Sequence, residues 1–127
     1  DDNLTLWNRV WKSTAPQKMK IDAWKVVTRT LATQQYKRIR HLSTRSTCPL
    51  CRVEEESTFH ALISCTHARI LWVNMRRRWP LPGDDCLIDN GKEWFLHLLN
   101  KCSEEVRDML IMLSWRIWQL RNEMAHG

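Results

Sequence analysis

The stretch Cys48-Pro49-Leu50-Cys51, followed by His60 and Cys65, decides how this chain of 127 residues folds. Two cysteines separated by two residues form a knuckle in which both sulfurs reach one ion. His60 and Cys65 are spaced to complete a tetrahedron from a short turn of helix. Three thiolates and one imidazole make a closed set of ligands that prefers zinc and leaves no position for a catalytic water. The spacing therefore predicts one structural zinc ion per chain, whose binding is part of folding.

The sequence leaves two alternatives to this ligand set open. His67 follows Cys65 by two residues and His41 precedes Cys48 by seven, so either histidine is an alternative to His60. The cysteines could also pack in a core without metal. Three cysteines and a histidine seldom coincide at these spacings by chance, which favours the metal site.

The composition indicates a soluble globular domain of ordinary size. Glycine (3) and proline (4) are scarce and tryptophan is abundant (8), which disfavours disorder. The longest aliphatic run, Met109–Leu113, is far too short to span a membrane, and the first residues are not expected to act as a signal peptide. Five cysteines are an odd number that excludes a complete disulfide framework, so Cys86 and Cys102 are expected to remain ordinary thiols. The cysteine usage favours a reducing intracellular compartment, the nucleus or the cytoplasm.

Hydrophobic residues recur with a helical period along most of the chain and nowhere alternate as in a strand. We therefore predict an all-α fold, a small irregular helical domain stapled by the single Cys3His zinc site. Residues 1–127 are expected to form one domain, with N-terminal helices at about 4–45, the zinc module and the following helix at 46–80, and C-terminal helices at 81–127. The chain is also expected to be a piece of a longer protein.

Apolar stripes and capping residues predict the individual helices. Helical stripes cover residues 4–12 and 17–31, and Thr33 is the expected N-cap of a short basic helix with Tyr36 and Ile39 turned inward. Three further helices follow the zinc ligands, at 66–79 with N-cap Thr66, at 92–101, and at 104–124 with N-cap Ser103.

The last helix is apolar on two faces. A continuous seam at spacings of four and three is formed by Val106, Leu110, Leu113, Ile117, Leu120 and Met124. Ile111, Trp115 and Trp118 lie on nearly the opposite face. A helix of this kind is either sandwiched or exposes one face to a partner. Residues 4–31 of the same chain cover the second face, or Ile111, Trp115 and Trp118 form an interface with a protein partner or a neighbouring domain.

The charge balance permits a nucleic-acid partner. The formal net charge is +6 and the isoelectric point is about 9.4, which is a moderate basic excess. The candidate contacts lie in the basic segment before the knuckle and at one later arginine: Lys37, Arg38, Arg40, Arg45 and Arg77. Residues 76–78 are three consecutive arginines, which fan out around a helix and also suit its C-terminal dipole.

Two acidic clusters are expected to be solvated. Asp84, Asp85 and Asp89 lie in a turn rich in proline and glycine without further ligands. Residues 54–56 are three glutamates that a complete Cys3His shell does not need. No activated nucleophile or general acid–base pair is recognisable, so the sequence does not indicate an enzyme or a small-molecule substrate.

The chain resembles the plant reverse-transcriptase zinc-binding domain, a module of non-LTR retroelements and of solitary genes derived from them. The matching segments are Lys20-Ile21-Asp22-Ala23-Trp24-Lys25, Leu31-Ala32-Thr33, the four ligand positions, Ala68-Arg69, Trp72, and Trp115 to Glu123. The family commonly has proline at the position of Ala32. The resemblance implies that Cys48, Cys51, His60 and Cys65 bind the metal and that the module accompanies a reverse transcriptase and often a ribonuclease H-like domain.

Two non-catalytic functions follow from these patterns. In the first, the zinc module docks a protein partner or a neighbouring domain. In the alternative, it binds RNA or single-stranded DNA weakly and without sequence preference. Two observations favour docking: tryptophans are more numerous than a basic patch would need, and the arginines do not converge on one face.

Overall fold

Five α-helices form the framework of the structure, a computed structural model that describes residues 8–126. They are α1 (Gln17–Val27), α2 (Gln34–Ile39), α3 (Thr66–Arg76), α4 (Trp94–Lys101) and α5 (Glu104–His126). A π-helical turn spans His60–Ser64, a 3-10 turn spans Asp84–Cys86, and residues 8–11 are helical. Within the described residues, the only β pairing is an isolated antiparallel bridge between Thr47 and Glu55. The predicted all-α fold is confirmed.

Helix α5 is covered on both of its apolar faces by other parts of the chain. It packs against α1, α3 and the π-helical turn, and α1 also packs against α4. Leu110 and Ile117 are buried on the seam, while Ile111 is 0% and Trp118 is 7% exposed on the other side. The expectation that Ile111 and Trp118 face a partner is therefore wrong, because both lie in the core of the chain itself.

Trp115 has a different environment from Trp118, although both lie on the same side of α5. Its ring is half-buried, and Nζ of Lys18 on α1 lies 4.7 Å from the ring centroid. This distance defines a cation–π contact. A side chain of α1 therefore covers the third member of the proposed interface.

The predicted N-caps agree with the structure at two of three positions. Thr33 is buried, and its Oγ1 accepts a hydrogen bond of 3.2 Å from the N–H of Tyr36. Ser103 Oγ accepts one of 3.3 Å from the N–H of Val106. At α3 the N-cap is Cys65, one residue earlier than expected, so the last zinc ligand begins this helix. The stripe predicted over 4–12 lies partly outside the described residues, at Leu4 and Trp7.

Helix α1 ends earlier than its apolar stripe suggested, at Val27 instead of residue 31. Arg29 adopts a left-handed conformation with φ 61°. Its N–H donates to the carbonyl of Val26 at 3.1 Å, and the N–H of Thr30 donates to that of Lys25 at 2.8 Å. This pair of bonds is a Schellman motif, which reverses the chain and ends the helix.

Ile39 does not turn inward as expected, and 68% of its surface is exposed. Helix α2 is only six residues long, and its N-terminal end is held by Glu56. The N–H of Gln34 donates to Oε1 of Glu56 at 2.9 Å, and that of Gln35 donates to the Glu56 carbonyl at 3.1 Å. Because the helix is attached at its start, its last turn projects from the core.

None of the helices within residues 8–126 is long and apolar enough to cross a membrane.

Candidate metal centre

The structure brings the four predicted ligands together. One ligand atom from each of Cys48, Cys51, His60 and Cys65 lies within 4.8 Å of all the others. Sγ of Cys51 and Nε2 of His60 are 3.4 Å apart. Zinc at its usual distances of about 2.3 Å from sulfur and about 2.0 Å from nitrogen places two tetrahedral ligands roughly 3.5 Å apart. This donor set therefore fits one zinc ion with a closed shell.

The two alternative histidines are not part of this cluster. His67 lies on α3, and its Nε2 donates a 3.2 Å hydrogen bond to the carbonyl of Ile117 on α5. His41 is exposed at the end of α2, where it adopts φ 60°. His60 is thus the histidine that the fold places at the metal position.

The knuckle directs backbone N–H groups at its sulfurs. The N–H of Leu50 donates to Sγ of Cys48 at 3.4 Å, and that of Glu54 donates to Sγ of Cys51 at 3.5 Å. The N–H of Arg52 closes the turn by donating to the Cys48 carbonyl at 2.9 Å, and Arg52 has φ 61°. Such N–H groups stabilise thiolate charge, which a zinc ligand requires.

The pKa values of the two cysteines of the knuckle shift in opposite directions. Burial raises the pKa of Cys48 to about 11, and the nearby Cys65 and Glu56 add to this effect. At Cys51 burial also disfavours the thiolate, but hydrogen bonds from the backbone of Glu54 and its neighbours outweigh it and lower the pKa. A zinc ion holds its coordinating thiols deprotonated, so the buried sulfur of Cys48 would depend on the metal for its charge.

The π-helical turn and the residue that follows it supply the other two ligands, His60 and Cys65. The N–H of Cys65 donates to the carbonyl of His60 at 2.9 Å, which is the wide hydrogen bond of a π-helix and brings both side chains to one point. Burial lowers the pKa of His60, so the imidazole is kept neutral as a ligand must be. Oγ of Ser64 lies 3.3 Å from Nδ1 of His60, where it can accept the proton of that nitrogen and leave Nε2 for the metal.

The turn is anchored in the core. Ala61, Leu62 and Ile63 are buried, and Nε1 of Trp72 donates to the carbonyl of Leu62 at 2.9 Å. The ligands are therefore attached to the hydrophobic interior on one side and to the knuckle on the other.

Sequence reasoning missed a buried ion pair beside the site. The expectation of a solvated turn at residues 54–56 is confirmed for Glu54 and Glu55 but wrong for Glu56, which is 0% exposed. Both carboxylate oxygens of Glu56 accept hydrogen bonds from Arg121 on α5, with Nε at 2.7 Å from Oε2. The sequence of α5 held a signal for this pair. Arg121 follows the apolar Ile117 by one helical turn and so lies on the same side of the helix, and a buried arginine needs an acidic partner.

The predicted nucleic-acid contacts fall into two places. Arg38, Arg40 and Arg45 are exposed, and Lys37 is half-buried, all of them in or just after α2. Arg77 is also exposed, but it lies at the opposite end of α3 from Cys65, about 18 Å away along the helix.

The acidic loop does not form a metal site. Asp84, Asp85 and Asp89 are exposed, as expected for a solvated loop. Oδ1 of Asp84 pairs with Nη2 of Arg76 at 2.9 Å. Within residues 8–126, the Cys3His group is the one cluster of three or more side chains suited to hold a metal.

A helical fold with a Cys3His group defines a zinc-binding domain of the structural kind, in which four protein ligands leave no coordination position for water or substrate. The sequence model of the family described as zinc-binding in reverse transcriptase matches residues 1–72, more than half of the chain, and the chain belongs to this family. The resemblance found in the sequence is confirmed.

A relative from Arabidopsis thaliana named "Putative ribonuclease H protein" is 30% identical over 71 residues. The match covers 56% of this chain but 12% of that protein, so the chain corresponds to a small part of its relative. No solved structure matches the chain.

Proposed function

We propose that this zinc-binding domain is a non-catalytic accessory module that binds RNA or single-stranded DNA without sequence preference. The observation that carries the proposal is a set of five cations that follow one another closely in the sequence, from α2 to the zinc knuckle, here called the basic surface: Lys37, Arg38, Arg40, Arg45 and Arg52. Among the described residues, none of them forms an ion pair. By contrast, Arg76 and Arg121 are each paired with a carboxylate. Cations left unpaired on a surface are available to phosphates.

The scaffold holds the basic surface in place. The start of α2 is fixed by hydrogen bonds to Glu56, and Arg52 closes the zinc knuckle itself. Arg52 occupies a left-handed position where glycine is under less strain, so its cation is kept at a conformational cost. Zinc therefore orients these charges and takes no part in chemistry. A reducing compartment such as the nucleus or the cytoplasm would keep its thiolates intact.

Salt dependence gives the test of nucleic-acid binding. If five cations each displace one counterion from a single strand, the log–log slope of affinity against salt is about −3.5. Lys37→Glu combined with Arg40→Glu should weaken binding of a labelled oligouridylate and reduce the slope by about 1.4. The matched control is Lys101→Glu with Arg116→Glu, two exposed cations on α4 and α5 that change the net charge equally.

Three outcomes decide between nucleic-acid binding by the basic surface and its alternatives. Binding lost in the basic-surface variant and kept in the control, with zinc content unchanged in both, is the expected result. Equal losses in the two variants would mean that only net charge matters, and no binding by the parent chain at about 50 mM salt would refute the proposal.

Docking to a protein partner or a neighbouring domain is the second candidate. The surface that the sequence suggested for this contact is not available, because Ile111 and Trp118 are in the core. A different surface supports it: Ile70 and Val73 lie one turn apart on α3 and are 57% and 49% exposed. The relative is far longer than the matched segment, which leaves room for neighbouring domains. Ile70→Glu with Val73→Glu should abolish such an association at any salt concentration and leave nucleic-acid binding unchanged.

A further inference from the structure

A cleft of about 420 Å³ opens between α2 and the segment that leads into α4. This volume is within the range of small-ligand pockets in proteins. One wall carries Tyr36 and Ile39 of α2, and the other carries Phe59. Arg29 and Lys92 line the same cleft and outnumber its single carboxylate, Asp89. The cleft therefore combines aromatic surface with a positive charge balance.

The wall opposite α2 is built before any ligand arrives. Phe59 packs edge-on against Trp94 with ring centroids 5.1 Å apart and an interplanar angle of 86°. Nε1 of Trp94 donates a 3.1 Å hydrogen bond to Oγ1 of Thr58. These contacts fix the indole and the phenyl ring, so a flat ligand would meet an ordered surface.

The wall formed by α2 carries the exposed isoleucine. Ile39 is 68% exposed although it is apolar, and it lies on the cleft together with Tyr36. Arg40 follows Tyr36 by four residues, so the two share one side of this short helix. If a base of a single-stranded nucleic acid lies against Tyr36, the next phosphate of that nucleic acid is therefore near the basic surface.

Arg29 supplies an independent observation. It is the C′ residue of the Schellman motif after α1, a position that glycine usually occupies because φ is positive. An arginine there is strained, and residues held in strained backbone conformations cluster at functional sites. The strained residue lines the cleft.

We infer that this cleft receives one unpaired base of a single-stranded nucleic acid, which stacks on Tyr36 while Arg29 and Lys92 hold the adjoining phosphates. The inference rests on the proposed function and adds a defined subsite to it. Stacking on an aromatic ring tolerates any base, in keeping with binding that has no sequence preference.

The test compares two probes of about 12 nucleotides, an oligouridylate and an abasic oligomer of equal length and charge, by fluorescence anisotropy with the zinc-loaded chain. The parent chain should bind the oligouridylate at least about fivefold more tightly than the abasic oligomer. Tyr36→Ala should abolish this difference without changing the salt slope, because stacking releases no counterions. Tyr36→Phe is the matched control and should keep the preference, since the ring remains.

Arg29 allows a second measurement that does not depend on unfolding. Arg29→Gly should weaken binding of the oligouridylate while raising the midpoint of thermal unfolding by about 2–4 °C, because glycine relieves the left-handed strain. Arg29→Ala should weaken binding equally but should not raise the midpoint of thermal unfolding. The comparison separates the effect of losing the cation from the effect of relieving the backbone strain.

The outcomes separate this inference from the proposed function. If the parent chain binds both probes equally, the cleft does not receive a base, although the basic surface still binds phosphates. If Tyr36→Ala retains the preference for the oligouridylate, stacking occurs elsewhere and the inference is wrong. If neither probe binds at low salt, both the inference and the proposed function fail.

Discussion

Replacing Arg121 by methionine tests the buried ion pair that joins the zinc loop to α5. The guanidinium of Arg121 binds both carboxylate oxygens of Glu56, which lies between Cys51 and His60 in the sequence. Glu56 and Arg121 are 0% and 2% exposed, so water cannot solvate a charge that loses its partner. Methionine keeps most of the apolar stem of arginine and removes only the charged end.

The expected loss of unfolding free energy is about 3–5 kcal/mol, the usual effect of leaving one partner of a buried pair alone. After the substitution, the Glu56 carboxylate keeps the N–H of Gln34 at 2.9 Å as a donor. One neutral donor cannot replace a two-point bond to a cation. Because small domains are stable by about 5–15 kcal/mol, this loss removes much of the total.

The assay is urea denaturation of the zinc-loaded chain, followed by tryptophan fluorescence and by far-ultraviolet circular dichroism. Glu56→Gln completes a double-mutant cycle, because glutamine is neutral and still offers an acceptor to the N–H of Gln34. The double variant should be more stable than Arg121→Met alone, since no charge is then left unpaired. Arg116→Met, which removes an exposed cation from the same helix, should change stability by less than about 0.5 kcal/mol. If Arg121→Met lowers the unfolding free energy by less than about 1 kcal/mol, and the double variant loses only the sum of the two single losses, the ion pair does not couple the zinc loop to α5.

Three further results are expected. Metal analysis should find one zinc per chain. Cys65→Ser should lose the metal and also lose helicity by circular dichroism, because Cys65 begins α3 as well as binding the metal. Full helicity without metal would contradict a structural role of the zinc. Trp118→Glu should cost several kcal/mol in urea titrations, because it removes the indole that lies against the guanidinium of Arg121 and buries a second carboxylate near the pair of Arg121 and Glu56. The half-buried Trp115→Glu should cost less, and equal small losses would show that the face is free. Burial raises the pKa of Asp22 in the folded chain, so stability is lost as the pH rises from the ordinary pKa of aspartate to the raised one. Asp22→Asn should therefore raise the unfolding free energy at pH 7 and leave it almost unchanged near pH 3, and a gain that is the same at both pH values would contradict this.

The parts of the site that could be predicted are those whose chemistry is local. Cys48 and Cys51 are three positions apart, and His60 and Cys65 are five apart, so turns of the chain alone bring each pair together. The caps at Thr33 and Ser103 bind N–H groups three residues away, which is why they were visible in the sequence. The end of α1 was not visible, because nothing in the apolar stripe marks Arg29 as a left-handed residue.

By itself, the sequence determined the three cysteines of the zinc site, the helical character of the chain and the family to which it belongs, because these depend on spacing, period and residue type within short segments, whereas the choice of His60 over His41 and His67 came from the fold. Only the tertiary structure decided which surfaces are covered. The pairing of Glu56 with Arg121 spans 65 positions, and the packing of α1 against α5 buries Ile111 and Trp118. Contacts between distant segments depend on how helices pack together, and a pattern confined to one helix cannot specify which neighbour covers it.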